Sequence, residues 1–302
     1  MQLNLNKKNI KKINSQKDEN KVQIDGVFKI IWKNKQSRAG FIILSVFILM
    51  AILGPIFLDS PKADYLNRLQ GPSWQHPLGT DYAGKDTLAQ FILGSKDVLL
   101  VALVAAIFAI LFAILVGVIS GLLGGKIDVI LMLITNVILT IPTFPITMIL
   151  ALLIRIENFV TFGLVLSLWS WAGLAKSIRS QVLAIKHKDF IEASKILGIS
   201  KFNIIRYDII PNIVSYIAMN FITIMKGSIL SAIGLMVLGL VPFQGNHWGV
   251  MLSLSLSATG ALLGSSSIVY FLTPVTGLLL FQLGCYLFAT GLDEALNPRL
   301  RS

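Results

Sequence analysis

Residues 189–212 read DFIEASKILGISKFNIIRYDIIPN and lie in a basic, polar island, residues 176–212, between long apolar runs. Apolar side chains recur at helical spacing on both sides of Gly198, which predicts two short amphipathic helices. Ser200 is the expected N-cap of the second helix. Gly198 would form the turn, because a residue without a Cβ readily adopts a left-handed conformation. Pro211 would end the second helix, because it has no N–H.

The apolar faces of these two helices are expected to need a partner. Outside the membrane, a helical hairpin with such faces is typical of a site that docks another protein. In the simpler interpretation, Gly198 only ends a helix and Glu192 is only a solvated charge. The placement of both residues in one cytosolic island favours docking. The predicted face comprises Phe190, Ala193, Leu197, Phe202, Ile205 and Ile209.

The composition indicates an integral membrane protein. Of the 302 residues, 55% are hydrophobic and only 14% are charged, whereas soluble domains carry about 25% charged residues. A helix needs roughly 20 apolar residues to cross a bilayer. We therefore predict an all-α, polytopic protein in which a basic tail with an interfacial helix (1–38) precedes one transmembrane domain (39–302). The six expected spans are residues 39–58, 98–122, 127–154, 158–175, 213–240 and 271–291.

The basic residues predict the topology. Twenty of the 26 Lys and Arg residues share one side of the membrane if the tail is cytosolic, and five lie on the other side. This asymmetry predicts that both termini and the island lie in the cytosol. The tail is expected to touch membrane lipid headgroups, and no motif for binding nucleic acid accompanies the charge. Residues 241–270 are expected to form an outer or re-entrant segment, because a seventh span would put Arg299 and Arg301 outside.

Catalytic chemistry is not expected of this chain. The sequence contains no GxSxG, HExxH or P-loop motif, and its single cysteine, Cys285, excludes an internal disulfide. The three histidines, His76, His187 and His247, fall in different loops, so a metal site made by them is the weaker interpretation. We expect no enzyme activity and no cofactor bound by this chain.

Three residues inside predicted spans are candidates for a translocation path. Pro142 and Pro145 interrupt the third span, and such a break can line a cavity. Lys226 lies about midway along the fifth span, where an ionisable group is a functional candidate by default. An interhelical pair or a snorkelled side chain is the alternative for Lys226. A membrane scaffold that transports nothing would leave all three without a purpose.

The island resembles the EAA coupling loop of binding-protein-dependent ABC importer permeases, with Glu192, Ala193, Ser194 and Gly198 in the E-A-A-x3-G pattern. Four other segments, in the same order, resemble the shorter, C-type permease of the peptide and nickel branch. The resemblance as a whole extends from about residue 30 to the end of the chain. The four segments are HPLGTDYAGKD (76–86), GLLGGKID (121–128), WGVML (248–252) and GLDEALNPRLRS (291–302).

The resemblance implies a type I ABC importer permease fold and a transport function. The chain would be one permease subunit for oligopeptides or dipeptides, working by alternating access. Its partners would be a homologous B-type permease in a heterodimer, two cytosolic ATP-binding subunits that hydrolyse the ATP, and an extracytoplasmic substrate-binding protein. A nickel or metal-chelate cargo remains an alternative in the same branch. An ion-coupled secondary transporter is the alternative from another class, although no acidic residue lies deep in a predicted span.

The same resemblance assigns provisional roles to individual residues. The expected ATPase-coupling residues are those of the EAA pattern together with three flanking positions. The expected contacts with the binding protein lie in the outer segments 76–86 and 241–260. The coupling set is Asp189, Glu192, Ala193, Ser194, Gly198, Arg179 and Pro211, and the contact set is His76, Asp81 and Trp248.

The chain departs from the family pattern at several positions. Ser194 stands for the second alanine of the EAA pattern, and Asp208 for a customary histidine. Ala232 stands where the branch tends to have a glutamate inside the membrane. The role of that carboxylate is therefore not transferred to this chain.

Overall fold

The computed structural model describes residue 32 and residues 34–241, 246–258 and 267–296, with the side chains of the last helix up to Leu292. The predicted tail, residues 1–38, and the end of the GLDEALNPRLRS segment lie largely outside these ranges. Within them the regular structure is helical, apart from one isolated bridge between Thr80 and Asp86. The helices are α1 (Lys35–Phe57), α2 (Thr87–Leu123), α3 (Gly125–Thr140), α4 (Thr143–Leu153), α5 (Phe159–Lys186), α6 (Asp189–Ile196), α7 (Lys201–Val237), α8 (Trp248–Ser257) and α9 (Ile268–Leu296).

The described helices correspond in number to the six predicted spans, although α2 and α7 begin earlier than predicted and α5 extends to residue 186, into the island. Five described helices, α1, α2, α5, α7 and α9, are long and apolar enough to cross a bilayer. The sixth predicted span corresponds to α3 and α4, which meet at an angle of 87°. The first span begins slightly earlier than predicted, because the side chain of Asn34 accepts hydrogen bonds from the N–H groups of Gln36 and Ser37 and so caps α1.

The packing of α2 against α5 shows that the bent pair crosses the membrane. Gly163, near the start of α5, packs against Val104, whereas Gly121, at the end of α2, packs against Val182 near the end of α5. The two helices therefore run parallel. Because α2 and α5 are parallel, both begin on the same side of the membrane. The helices between them, α3 and α4, must therefore carry the chain back across the bilayer.

Small residues allow α2 and α5 to approach closely. A Cβ on Gly117 would lie 2.6 Å from the carbonyl oxygen of Ala175, which leaves no room for a side chain. Lipid supplies no hydrophobic drive between helices, so close packing of this kind stabilises the bundle. The alanines of α2 that are fully buried are Ala102, Ala105, Ala106, Ala109 and Ala113.

The first and last helices fix which ends share a side. A Cβ on Gly40 would lie 2.4 Å from the backbone nitrogen of Phe288, whereas a Cβ on Gly54 would lie 2.8 Å from the side chain of Ile92, near the start of α2. The start of α1 and the end of α9 are therefore on one side. Gly121, where α2 ends beside α5, is on that side too, and so is the segment that follows α5.

Residues 246–258 lie on the opposite side, beside the start of α2. The helix α8 has 10 residues, too few to cross a bilayer. The indole nitrogen of Trp248 donates a hydrogen bond to the carbonyl oxygen of Phe91 at 2.9 Å, and the two rings stack with centroids 5.0 Å apart. This position agrees with an outer or re-entrant segment, although residues 242–245 and 259–266 fall outside the described ranges.

Candidate functional site

The turn at Gly198 forms as the sequence predicts. Its φ is +71°, in the left-handed region. The N–H of Ile199 bonds to the carbonyl oxygen of Ser194 and the N–H of Gly198 to that of Lys195, both at 3.0 Å. This is the hydrogen-bond pairing of a Schellman motif. A Cβ at Gly198 would meet no atom within 4 Å, so the backbone conformation, rather than a lack of space, favours glycine here.

Pro211 does not end the second helix, and that prediction was wrong. Ser200 caps α7 by accepting a hydrogen bond from the N–H of Asn203, as predicted. The helix then widens into a π turn over Ile204–Ile209, and the N–H of Ile210 bonds to the carbonyl oxygen of Ile205. The wider register accommodates a proline that lacks an N–H. As a result, α7 continues from the island through the membrane without a break.

Isoleucine side chains anchor the island to the bundle. Ile191 and Ile209 are fully buried and Ile204 is 4% exposed. They belong to one apolar cluster with Ile178 and Val182 of α5. Ile209, which was expected on the docking face, therefore faces the bundle instead. The anchoring packs α6 and the start of α7 against α5.

The opposite surface of the island is apolar and exposed. Leu197 is 77% exposed and Ile196 is 86% exposed. Large apolar side chains gathered on such a surface indicate a protein interface. We call this surface the docking face, and it consists of Phe190, Ile196, Leu197, Phe202 and Tyr207.

The coupling residues of α6 lie beside this docking face. Asp189, Glu192 and Ala193 are all exposed. Asp189 and Glu192 lie in the first turn of α6, where a negative charge is favourable to the helix dipole. The carboxylate of Glu192 makes no ion pair with the described residues, so it is available to a partner.

Ser194 and Asp208 contact each other. The hydroxyl of Ser194 donates a hydrogen bond to the carboxylate of Asp208 at 3.2 Å and joins α6 to the π turn. These are two of the positions at which the chain departs from the family pattern. The contact explains how an aspartate is accommodated there, since the serine hydroxyl supplies it with a donor.

Arg179 lies within the bundle rather than on the docking face. Its guanidinium binds the carboxylate of Asp128 with both arms, Nε to Oδ1 at 2.5 Å and Nη2 to Oδ2 at 2.6 Å. The hydroxyl of Ser120 donates to the same carboxylate. This two-armed pairing is among the stronger polar contacts in proteins. It ties the end of α2 and the start of α3 to α5, at the start of the island.

The HPLGTDYAGKD segment folds into a compact motif that begins α2 on the side opposite the island, and we call it the outer motif. Asp81 is 1% exposed, and its carboxylate accepts from the N–H groups of Ala83 and Lys85, both at 2.8 Å, and from the amide of Gln90 at 3.0 Å. Gly84 has a φ of +77°, and a Cβ there would lie 1.7 Å from the carbonyl oxygen of Asp64. The motif therefore needs glycine at this position.

His76 and Asp86 complete the outer motif. The Nδ1 atom of His76 lies 2.8 Å from Oδ2 of Asp86. The other oxygen of Asp86 accepts from the N–H of Ala89 and caps α2. The motif thus fixes the loop to the helix through the histidine and its aspartate.

The proline break in the third span is present. Pro142 is the N-cap residue of α4 and Pro145 lies in its first turn. Lys226 is on a different face of α7: its carbonyl oxygen accepts from the side chain of Gln282 on α9 at 3.1 Å. Its ammonium group makes no hydrogen bond or ion pair with the described residues. The structure therefore does not bring Lys226 and the two prolines together.

Similarity to known proteins identifies the family of this chain. Residues 113–302 match the family described as binding-protein-dependent transport system inner membrane component. The chain belongs to this family. It is a multi-pass permease subunit of an ABC importer, and the predicted type I importer fold is confirmed.

Relatives of the permease are C-type subunits. The dipeptide transport system permease protein DppC of Bacillus subtilis (strain 168) is 30% identical, with 89% of this chain and 83% of that protein covered. The oligopeptide transport system permease protein OppC of Escherichia coli (strain K12) is 31% identical, covering 97% and 99%. The metal-staphylopine import system permease protein CntC of Staphylococcus aureus (strain NCTC 8325 / PS 47) is 34% identical, covering 87% and 89%.

The outer surface of the permease differs from the predicted contact set. Asp81 and Trp248 are buried, so in this conformation neither side chain can touch a partner, and both hold the outer segments together instead. His76 is partly exposed, and its role as a contact stays a prediction. Sequence reasoning missed the exposed apolar side chains of the preceding loop, although aromatic residues in a polar loop were a visible signal. These are Tyr65, Leu66 and Trp74, of which Trp74 is fully exposed.

Proposed function

We propose that the permease carries oligopeptides or dipeptides into the cell by alternating access, driven by ATP that partner subunits hydrolyse. The observation that carries this proposal is the continuous connection from the docking face into the membrane. The Gly198 turn presents the apolar side chains, and the π turn passes any movement of the island into α7 without a helix break. The isoleucine anchor and the Arg179–Asp128 pair extend the same connection to α5 and α3.

The partners follow from the family and from the two surfaces. Two cytosolic ATP-binding subunits would dock on the permeases, one of them on the docking face. A homologous B-type permease would supply the other half of the pathway. The sequence has no P-loop motif, which supports leaving ATP binding to the partners and assigning no cofactor to this chain.

The proposed orientation places the docking face and both termini in the cytosol of a bacterial cell. The excess of Lys and Arg on that side supports it. The outer motif and α8 then face the extracytoplasmic side, where a substrate-binding protein delivers cargo. We assign its contact to the exposed side chains Tyr65, Leu66 and Trp74. Their loop is joined to residues 80–83 by backbone hydrogen bonds.

Peptides are the cargo that the relatives favour, and a metal chelate is the second candidate because CntC is a relative. The test is uptake into proteoliposomes that contain the permease, its B-type partner and both ATPases, with the binding protein added. Labelled dipeptide, labelled oligopeptide, nickel ion and a nickel chelate are offered separately. ATP-dependent uptake of peptide alone supports the proposal. Uptake of nickel or its chelate, but not of peptide, would show that the cargo is the metal. Uptake that needs an ion gradient instead of ATP would contradict the proposed mechanism.

A further inference from the structure

A cavity of about 280 Å³ lies where the third span breaks, between the start of α4 and helices α5 and α7. Its lining mixes polar and apolar side chains, and no Asp, Glu, Lys, Arg or His belongs to it. Lys226 faces away from the cavity, which α7 lines with neighbouring residues instead. The polar side chains around the cavity are Thr143, Thr147, Trp169, Ser170, Ser228 and Ser231.

Two hydrogen-bond donors in the lining have no partner among the described residues. They are the indole nitrogen of Trp169 and the hydroxyl of Ser228, and both atoms are buried. Ser228 is only 4% exposed. Thr147 and Ser170 differ, because their hydroxyls donate to carbonyl oxygens of their own helices, at 2.6 and 2.9 Å. A buried donor without a partner is unfavourable, so its presence here calls for an acceptor.

The start of α4 adds donors of the same kind. Pro142 provides no side-chain cap, and the first N–H groups of a helix have no partner within it. Thr143 and Phe144, whose N–H groups belong to this first turn, both line the cavity. The helix dipole gives this end a partial positive charge. The lining therefore brings the first turn of α4 beside the two buried donors, and it contains no charged side chain.

We propose that this cavity binds a main-chain carbonyl oxygen of a peptide in transit, with Trp169 Nε1 and Ser228 Oγ as donors; this rests on the proposed peptide transport. An indole N–H can only donate, and a peptide offers one carbonyl oxygen for every residue. Because no charged side chain lines the cavity, recognition does not depend on the side chains of the cargo. A free divalent cation needs oxygen, nitrogen or sulfur ligands, and uncapped N–H donors do not suit it.

The burial of the two donor atoms fits a role in alternating access. The two donor atoms are shielded from solvent in this conformation. A movement of α5 and α7 relative to α4 would expose them. Both helices lead into or out of the island, so docked ATPases control that movement. The site would then be offered to cargo in one state of the cycle and covered in the other.

The test measures the KM for peptide uptake in the complete reconstituted importer. Trp169→Phe and Ser228→Ala should each raise KM by about three- to tenfold, the usual effect of losing one hydrogen bond to a neutral group. Cationic, neutral and anionic peptides should respond alike. The matched controls, Trp171→Phe and Ser167→Ala, should leave KM unchanged. Neither control residue lines the cavity, and the hydroxyl of Ser167 donates to a carbonyl oxygen of its own helix.

A second variant fills the cavity instead of removing a donor. Gly227 lines the cavity, and a Cβ there would meet no atom within 4 Å. Gly227→Leu should therefore assemble with the ATPases and abolish uptake. Unchanged KM in both donor variants, with normal uptake in Gly227→Leu, would overturn the site while leaving peptide transport intact. Absence of ATP-dependent peptide uptake by the wild-type importer would instead contradict the proposed function.

Discussion

Leu197→Ala should separate docking from folding. The side chain is 77% exposed in the isolated permease, so its truncation should change the free energy of unfolding by less than about 0.5 kcal/mol. If an ATPase covers the side chain, the variant loses three carbon atoms of apolar contact. At about 0.8 kcal/mol for each buried carbon, the loss is about 2 kcal/mol of binding free energy. The affinity for the ATPase should then fall about thirtyfold.

The assay combines a binding measurement with an unfolding measurement. Binding of the purified ATPase to the permease pair in nanodiscs gives the dissociation constant, and thermal unfolding followed by circular dichroism gives stability. Leu66→Ala is the matched control, because Leu66 is 95% exposed on the opposite side and should leave ATPase affinity unchanged. Ile191→Ala, at a fully buried position, should instead destabilise the permease by about 2 to 5 kcal/mol. Wild-type affinity in Leu197→Ala, or a loss of stability as large as that of Ile191→Ala, would refute the docking face.

Three other predictions test the remaining parts of the structure. Asp128→Asn leaves the partly buried Arg179 guanidinium without its ionic partner. The free energy of unfolding should therefore fall by about 1 to 3 kcal/mol. An unchanged free energy of unfolding in chemical denaturation would contradict the role of the pair. Trp74→Ala should weaken binding of the extracytoplasmic binding protein and leave ATPase affinity unchanged, which surface plasmon resonance on nanodiscs can check. In Gly84→Ala the new Cβ would overlap the carbonyl oxygen of Asp64, so the backbone there must shift. Limited proteolysis should then cut the outer loop faster than in the wild type. Equal cleavage rates would count against the compact motif.

The sequence predicted the features that depend on local chemistry. The six spans follow from apolar length, and the turn at Gly198 follows from the freedom of glycine to adopt a positive φ. The break at Pro142 follows from the missing N–H of proline. In each case the cause lies within a few residues of the effect, so a single sequence shows it.

The features that sequence reasoning missed depend on contacts between distant segments or on an unusual helix register. The rule that proline ends a helix failed at Pro211, because a π turn supplies a wider register that composition does not reveal. Trp248 was taken for a surface contact, whereas its indole is satisfied by Phe91, 157 positions away in the chain. Asp81 was misassigned for the same reason, since its buried hydrogen bonds exist only after the loop folds. The donors Trp169 and Ser228 line one cavity only because α5 and α7 pack beside α4.

The most direct test of the coupling account is peptide uptake by the reconstituted importer carrying Gly198→Pro. Proline fixes φ near −65°, whereas Gly198 has a φ of +71° and uses its N–H to bond Lys195. The variant should still contain all six spans and should lose ATP-dependent uptake, because the docking face can no longer take its position. An importer with Gly198→Pro that takes up peptide at the wild-type rate, or a wild-type importer that is indifferent to ATP, would contradict the account.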